Sequence, residues 1–147
     1  MNPFIIRVPA TTANLGAGYD VFGMALDLFN EFEVHPDFST KLKINVEGEA
    51  SSRIPKNENN LFYQSLLKGL KMANCAVPNL FIHQKNVIPV NRGLGSSATA
   101  VLGGFIAAKV LSGGKLSDED LINGAIELEG HPDNLTAAFL GGFTINY

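Results

Sequence analysis

Cysteine is almost missing from this 147-residue sequence: Cys75 stands alone, so no disulfide can close within the chain. Positive charge is sparse as well. Lys and Arg number 11 against 14 Asp and Glu, a formal net charge of -3, which leaves no basic field to hold a phosphate backbone and excludes nucleic acid as an expected partner. A small anion gripped by local donors remains open. No uninterrupted apolar stretch approaches the roughly 18 residues that a membrane-spanning helix needs. Met1 is followed by Asn2, Pro3 and Phe4 rather than by the basic segment and apolar run of a secretion signal. The chain therefore reads as cytoplasmic, without a membrane partner. Low-complexity segments and repeats of solenoid period are also missing. The end lacks something too: residues 142–147 read as an apolar strand with no closing turn or polar tail, the expected mark of a chain cut from a longer one.

With 46% hydrophobic and 17% charged residues, the chain has the make-up of one globular domain mixing helices and strands. Residues 4–8 form a short apolar run ending at Pro9. In 41–47, Leu42, Ile44 and Val46 alternate with polar residues, the period of a half-buried strand. Phe62, Leu66, Leu70 and Ala73 recur at helical spacing after an Asn-rich start suited to capping. Residues 80–84 read as another strand. A helix is predicted from Ser97, through Val101, Leu102, Phe105 and Ile106, to a stop near Gly113 and Gly114. The next begins at Ser117, whose hydroxyl can cap Glu119 or Asp120, and is expected to end at Pro132.

Three stretches carry candidate chemistry. In 89–100, PVNRGLGSSATA, Gly93 and Gly95 remove side chains where a backbone must approach a ligand, while Ser96, Ser97 and Thr99 place hydroxyls and amides at a helix start, a combination that binds anions. It is not a Walker A loop, which needs a lysine where Ser96 stands, nor a dinucleotide fingerprint, which needs a further glycine three residues beyond Gly95. A plain turn and helix start would use the same residues. In 9–20, PATTANLGAGYD, Gly16 and Gly18 suit a tight loop, and Asn14 and Asp20 could orient a small polar substrate or simply cap a helix. In 127–134, ELEGHPDN, the residues Glu129, His131 and Asp133 could hold a hard cation such as Mg²⁺ better than zinc. The same residues could equally be a solvated helix end and a turn. A hydrolase triad of Ser97, His131 and Asp133 lacks the Gly-x-Ser-x-Gly elbow around its serine.

Taken in order, these stretches resemble the three N-terminal signatures of the GHMP kinases, and within them the homoserine kinases. PxxxGLGSSA is similar to the family's ATP-binding motif, and PATTANLGAGYD to the first motif of homoserine kinases, with Tyr19 in place of the usual Phe and without the lysine found in mevalonate kinases. LEGHPDN is similar to a segment of Gram-positive homoserine kinases. The resemblance covers the whole chain but only about the first half of such an enzyme. It implies an α+β domain, a mixed sheet packed with helices and similar to ribosomal protein S5 domain 2, with a left-handed βαβ unit.

It also implies transfer of the γ-phosphoryl of ATP to the side-chain hydroxyl of L-homoserine. ATP would be wrapped by Pro89, Val90, Asn91, Arg92, Gly93 and Leu94, then by Gly95, Ser96, Ser97, Ala98 and Thr99. Arg92 by itself reads as a solvated loop charge. The resemblance makes Ser97 and Glu129 the Mg²⁺ partners, turns Asn14, Asp20 and Asn134 toward the amino acid, and puts Asp133, with Asn134, beside the transferred group. The arginines that bind the substrate carboxylate come from the absent C-terminal half, so the isolated chain is expected to be inactive and prone to self-association, as a homodimer or larger. Another GHMP small-molecule kinase, or a nucleotide-binding fragment without catalysis, are the competing readings.

Overall fold

In the structure, a computed structural model, residues 1–13, 15–16 and 21–146 are described. The chain opens with two long strands, β1 (Phe4–Ala13) and β2 (Phe22–Pro36), followed by β3 (Leu42–Gly48), helix α1 (Leu61–Met72) and β4 (Leu80–Asn86). Three consecutive helices then lead to a short last strand: α2 (Ser96–Leu111), α3 (Asp118–Glu129), α4 (Pro132–Leu140) and β5 (Phe143–Ile145). The sheet runs β1-β2-β4-β3, with β5 paired to the N-terminal part of β2. It is mixed, because β3 and β4 lie parallel across the α1 connection while the other pairs are antiparallel. This is the α+β architecture expected from the sequence.

The periodic segments appear where their patterns predict them, and three features differ. Residues 4–8 are only the start of β1, which continues through Pro9 to Ala13. An edge strand tolerates a residue without an N–H, and the register shifts between Pro9 and Thr11 to accommodate it. Sequence reading assigned no element to β2. Its buried positions alternate clearly only at Asn30, Phe32 and Val34, and the half-buried residues before them mask any period.

Pro132 does not end α3, as sequence reading expected. Gly130 does, at φ 88°, with its N–H on the Ile126 carbonyl. Pro132 instead opens α4, where a missing N–H costs nothing.

Helices cover one face of the sheet, and α2 lies at the centre of the core. Ala98, Val101, Leu102, Phe105, Ala107 and Ala108 are all fully buried, which explains why α2 is apolar on every side. The stacked rings of Phe32 and Phe62, with centroids 4.5 Å apart, join β2 to α1. A Cβ at Gly104 would strike the Phe62 carbonyl, so a glycine there lets α1 and α2 pack in near contact. Among the described residues no helix is long and apolar enough to cross a membrane.

Candidate functional site

The site forms where the β4–α2 loop delivers the chain into α2. Gly95 is the cap residue of α2, in the left-handed region at φ 66°, ψ 26°, and no side chain caps the helix from that position. The first intrahelical bond there runs from Thr99 N–H to the Gly95 carbonyl at 3.0 Å. By helix geometry the amides of Ser96, Ser97 and Ala98 have no carbonyl within the helix, and they carry the positive end of its dipole. A Cβ at Gly95 would collide with Thr11 Oγ1 and come within 3.2 Å of Asn134 Oδ1. Glycine is thus required twice, for the φ value and for the close approach of β1 and α4.

Three other elements converge on this turn. The Ser97 hydroxyl donates to Glu129 Oε1 at 2.5 Å, joining α2 to the last residue of α3 across 32 residues of sequence. Gly130 ends α3 immediately afterwards. From α4, Asn134 Oδ1 accepts from the Thr11 hydroxyl at 2.8 Å, while Thr11 N–H donates to the Leu94 carbonyl at 3.1 Å. Asp133 is buried, and its Oδ1 accepts from the Asn134 backbone N–H at 2.8 Å and from Asn134 Nδ2 at 3.3 Å. Ser97, Glu129 and Asn134, taken from the sequence as candidates, are therefore brought together around the start of α2, and Asp133 is tied to them through Asn134.

A cavity of about 200 Å³ opens beside the same helix start, lined among others by Ile54, Pro55, Asn60, Val90, Ser96 and Ser97. Its lining is mainly apolar with a few amides at the floor, the make-up of a small-molecule pocket. Asn91, Arg92 and Gly93 are exposed at the loop tip, and Pro89 and Leu94 flank them. Ala98 and the Thr99 side chain are turned inward, fully buried. Asn14 and Asp20 lie outside the described residues. Among the described residues no group of three or more His, Cys, Asp or Glu could by itself hold a metal ion.

Sequence reading missed two contributors. Thr11 sits in the first glycine-rich stretch, but nothing in its spacing points at Gly95. Asn30 is buried in the sheet, and its Oδ1 accepts from the N–H groups of Val87 and Ile88 at 2.8 and 3.0 Å, while Nδ2 donates to Thr99 Oγ1 at 2.9 Å. A lone Asn inside the run from Phe22 to Val34 was the available signal, since such a residue in a buried strand needs partners.

Comparison with known proteins places the fold in a family. The profile of the family described as GHMP kinases N terminal domain matches residues 60–142, from the cap of α1 to the start of β5. A homoserine kinase of Trichodesmium erythraeum is 41% identical over 143 residues, 97% of this chain and 47% of the relative. One of Aquifex aeolicus is 46% identical over 140 residues, 95% of this chain and 46% of the relative. The crystal structure of homoserine kinase from Cytophaga hutchinsonii matches with a TM-score of 0.86 at 29% identity, over 99% of this chain and 48% of that one. The chain spans about half the length of the curated relatives it matches. A glycine-capped α2 with open amides, faced by groups from α3 and α4 and set in the fold of that profile, identifies the chain as a member of the GHMP kinases through their N-terminal domain.

Proposed function

We propose that this domain is the nucleotide-binding half of a homoserine kinase, which transfers the γ-phosphoryl of ATP to the side-chain hydroxyl of L-homoserine. The observation that carries the reading is the convergence of Ser97, Glu129 and Asn134 on the open N-terminus of α2. Relatives named homoserine kinase, at 41% and 46% identity, supply the acceptor. In the reaction the acceptor oxygen forms a bond to phosphorus, the bond from phosphorus to the β-bridging oxygen breaks, ADP leaves, and the hydroxyl proton is lost. Little covalent work is asked of the protein, so positioning and charge neutralisation dominate.

The residues divide that work. The amides of Ser96 to Ala98 accept the phosphate charge at the helix terminus, and the apolar cavity beside Val90 and Pro55 receives the base. Ser97 and Glu129 fit Mg²⁺: they are two hard oxygen donors from separate elements, already 2.5 Å apart. Such ions are usually held by one or two protein groups plus phosphates and water, so this pair would suffice as the protein's share. When bound there, the ion would supply neutralisation of phosphate charge. Asn134, held by Thr11, faces the acceptor, and Asp133 lies beside the transferred group as the candidate proton acceptor. Asn14 and Asp20 are assigned to the amino acid on the strength of the sequence motif.

Two measurements test the reading. Titration of Mg-ATP onto residues 1–147 is expected to register weak binding without homoserine-dependent ADP release. A full-length enzyme carrying this domain is expected to prefer L-homoserine over L-serine or mevalonate by at least ~10²-fold in kcat/KM, the scale reached when buried polar groups must be matched. Equal turnover of mevalonate would overturn the assignment. A second copy of the chain is the proposed partner of the β5 edge. Phe143 and Ile145 are exposed there beside Leu140, and residues 140–146 contain no charge to oppose pairing. Sedimentation that finds only monomer at high concentration rejects that partner.

A further inference from the structure

β4 leaves the sheet after Asn86, and two of the next backbone donors, Val87 N–H and Ile88 N–H, turn onto one side-chain oxygen, Asn30 Oδ1. The other end of the same amide reaches Thr99, whose hydroxyl passes the connection to the Ser96 carbonyl at 2.7 Å. One buried side chain on β2 therefore touches the glycine loop where it starts and, through Thr99, the helix turn where it ends. Asn30 is 1% exposed and Thr99 fully buried, so the link is shielded from competing water. No aliphatic side chain could replace it, because two acceptor bonds and one donor bond are made by a single planar amide.

We propose that Asn30 is a positioning residue for phosphate binding: the Asn30–Thr99 link fixes the span of the loop between Ile88 and Ser96, and so aims the open amides of α2. The proposal rests on the nucleotide reading above. It separates two parts of one ligand. The base sits against Ile54 and Pro55, which lie outside the loop that the link spans, although Asn30 and Val90 also line that cavity, whereas the phosphates meet the turn that the link holds.

The test compares ATP with adenosine, each with Mg²⁺, on the wild-type chain and on Thr99→Val, Thr99→Ser and Asn30→Ala. Thr99→Val removes the hydroxyl at nearly constant volume, and Thr99→Ser restores it. The expected result is that Thr99→Val and Asn30→Ala weaken ATP binding about tenfold, the scale of one or two lost hydrogen bonds. In Thr99→Val adenosine binding stays within about twofold, and Thr99→Ser recovers most of the ATP affinity; Asn30 lines the cavity itself, so Asn30→Ala is read on ATP alone. Equal weakening of ATP and adenosine, unchanged ATP binding by folded Thr99→Val, or outright unfolding of that variant would each overturn the proposal and assign the link to the fold alone. Wild-type chain that binds neither ligand would instead sink the nucleotide reading, a failure visible before any variant is compared.

Discussion

Helices α1 and α3 begin in one way and α2 begins in another. Asn60 accepts from the Tyr63 N–H with its side chain, and Ser117 accepts from the Asp120 N–H, so both helices satisfy a terminal amide internally. At the start of α2 the cap position is Gly95, with no side chain to offer. Acidic residues add to the cap only in α3, where Asp118, Glu119 and Asp120 occupy the first turn and complement its dipole, while the first turns of α1 and α2 have none. The difference teaches where the fold completes itself and where it leaves donors for something else. Glu129, the carboxylate that does reach α2, bonds the Ser97 hydroxyl.

The largest expected effect removes the charge of that carboxylate. In a full-length enzyme carrying this domain, Glu129→Gln is predicted to lower turnover by at least ~10²-fold, because on the proposed assignment a ligand that localises charge neutralisation in the transition state is lost. Glu129 lies at the end of α3 with partly exposed surroundings, so the thermal midpoint is expected to move little. Near-normal turnover at ordinary Mg²⁺ would remove it from the site.

Next in size comes the capped helix α1. Asn60 is buried, and beyond its cap bond its Nδ2 donates to the Pro55 carbonyl at 2.8 Å and to Gln84 Oε1 at 2.5 Å. Asn60→Ala strands those acceptors, and denaturant unfolding is expected to register a loss of about 2–3 kcal/mol. A loss no larger than that of an exposed cap would mean that water replaces the amide.

Gly95 sharpens the comparison because it is both structural and open to ligand. Gly95→Ala is expected to cost about 1–2 kcal/mol of stability for its left-handed backbone, together with at least ~10-fold in ATP affinity. A further stability loss comes from the collision with Thr11 Oγ1. Adding Thr11→Ala should recover that further loss without restoring ATP affinity. Recovery of both together would make Gly95 a packing residue only.

How far the sequence carries this reading follows from where each signal lies. α1 and α3 have local periodicity and capping residues, so their starts could be read directly, while for α2 the periodicity gave the helix and the glycine loop announced its open end. The pairing of Ser97 with Glu129 rested on family resemblance, since nothing local says that residues 32 apart in sequence meet. β2 was invisible because its outer half lacks alternation, and Asn30 was hidden with it. Pro132 misled because proline both stops one helix and starts another, and only the Gly130 backbone decides between them.

The smallest effect belongs to the other capped helix and serves as the control for all the rest. Ser117 is exposed, its hydroxyl oxygen accepts from the Asp120 N–H at 3.0 Å, and its own hydroxyl proton goes to Asp120 Oδ2 at 2.7 Å. Removing it leaves an amide that water can reach, in a turn already supplied with three carboxylates. Ser117→Ala is therefore expected to cost about 1 kcal/mol of stability. Because α3 also carries Glu129 at its far end, the same variant asks whether a loosened helix start disturbs the site. Eleven helical steps separate the two positions from Asp118 to Glu129, about 16 Å at 1.5 Å per residue. Fraying is confined to the first turn, and Leu121 and Ala125, both buried, anchor the helix beyond it. ATP affinity and its Mg²⁺ dependence are thus expected to be unchanged in Ser117→Ala. A parallel drop in stability and ATP affinity would mean that α3 moves as one rigid rod, and that the capped and uncapped helix starts are coupled rather than independent.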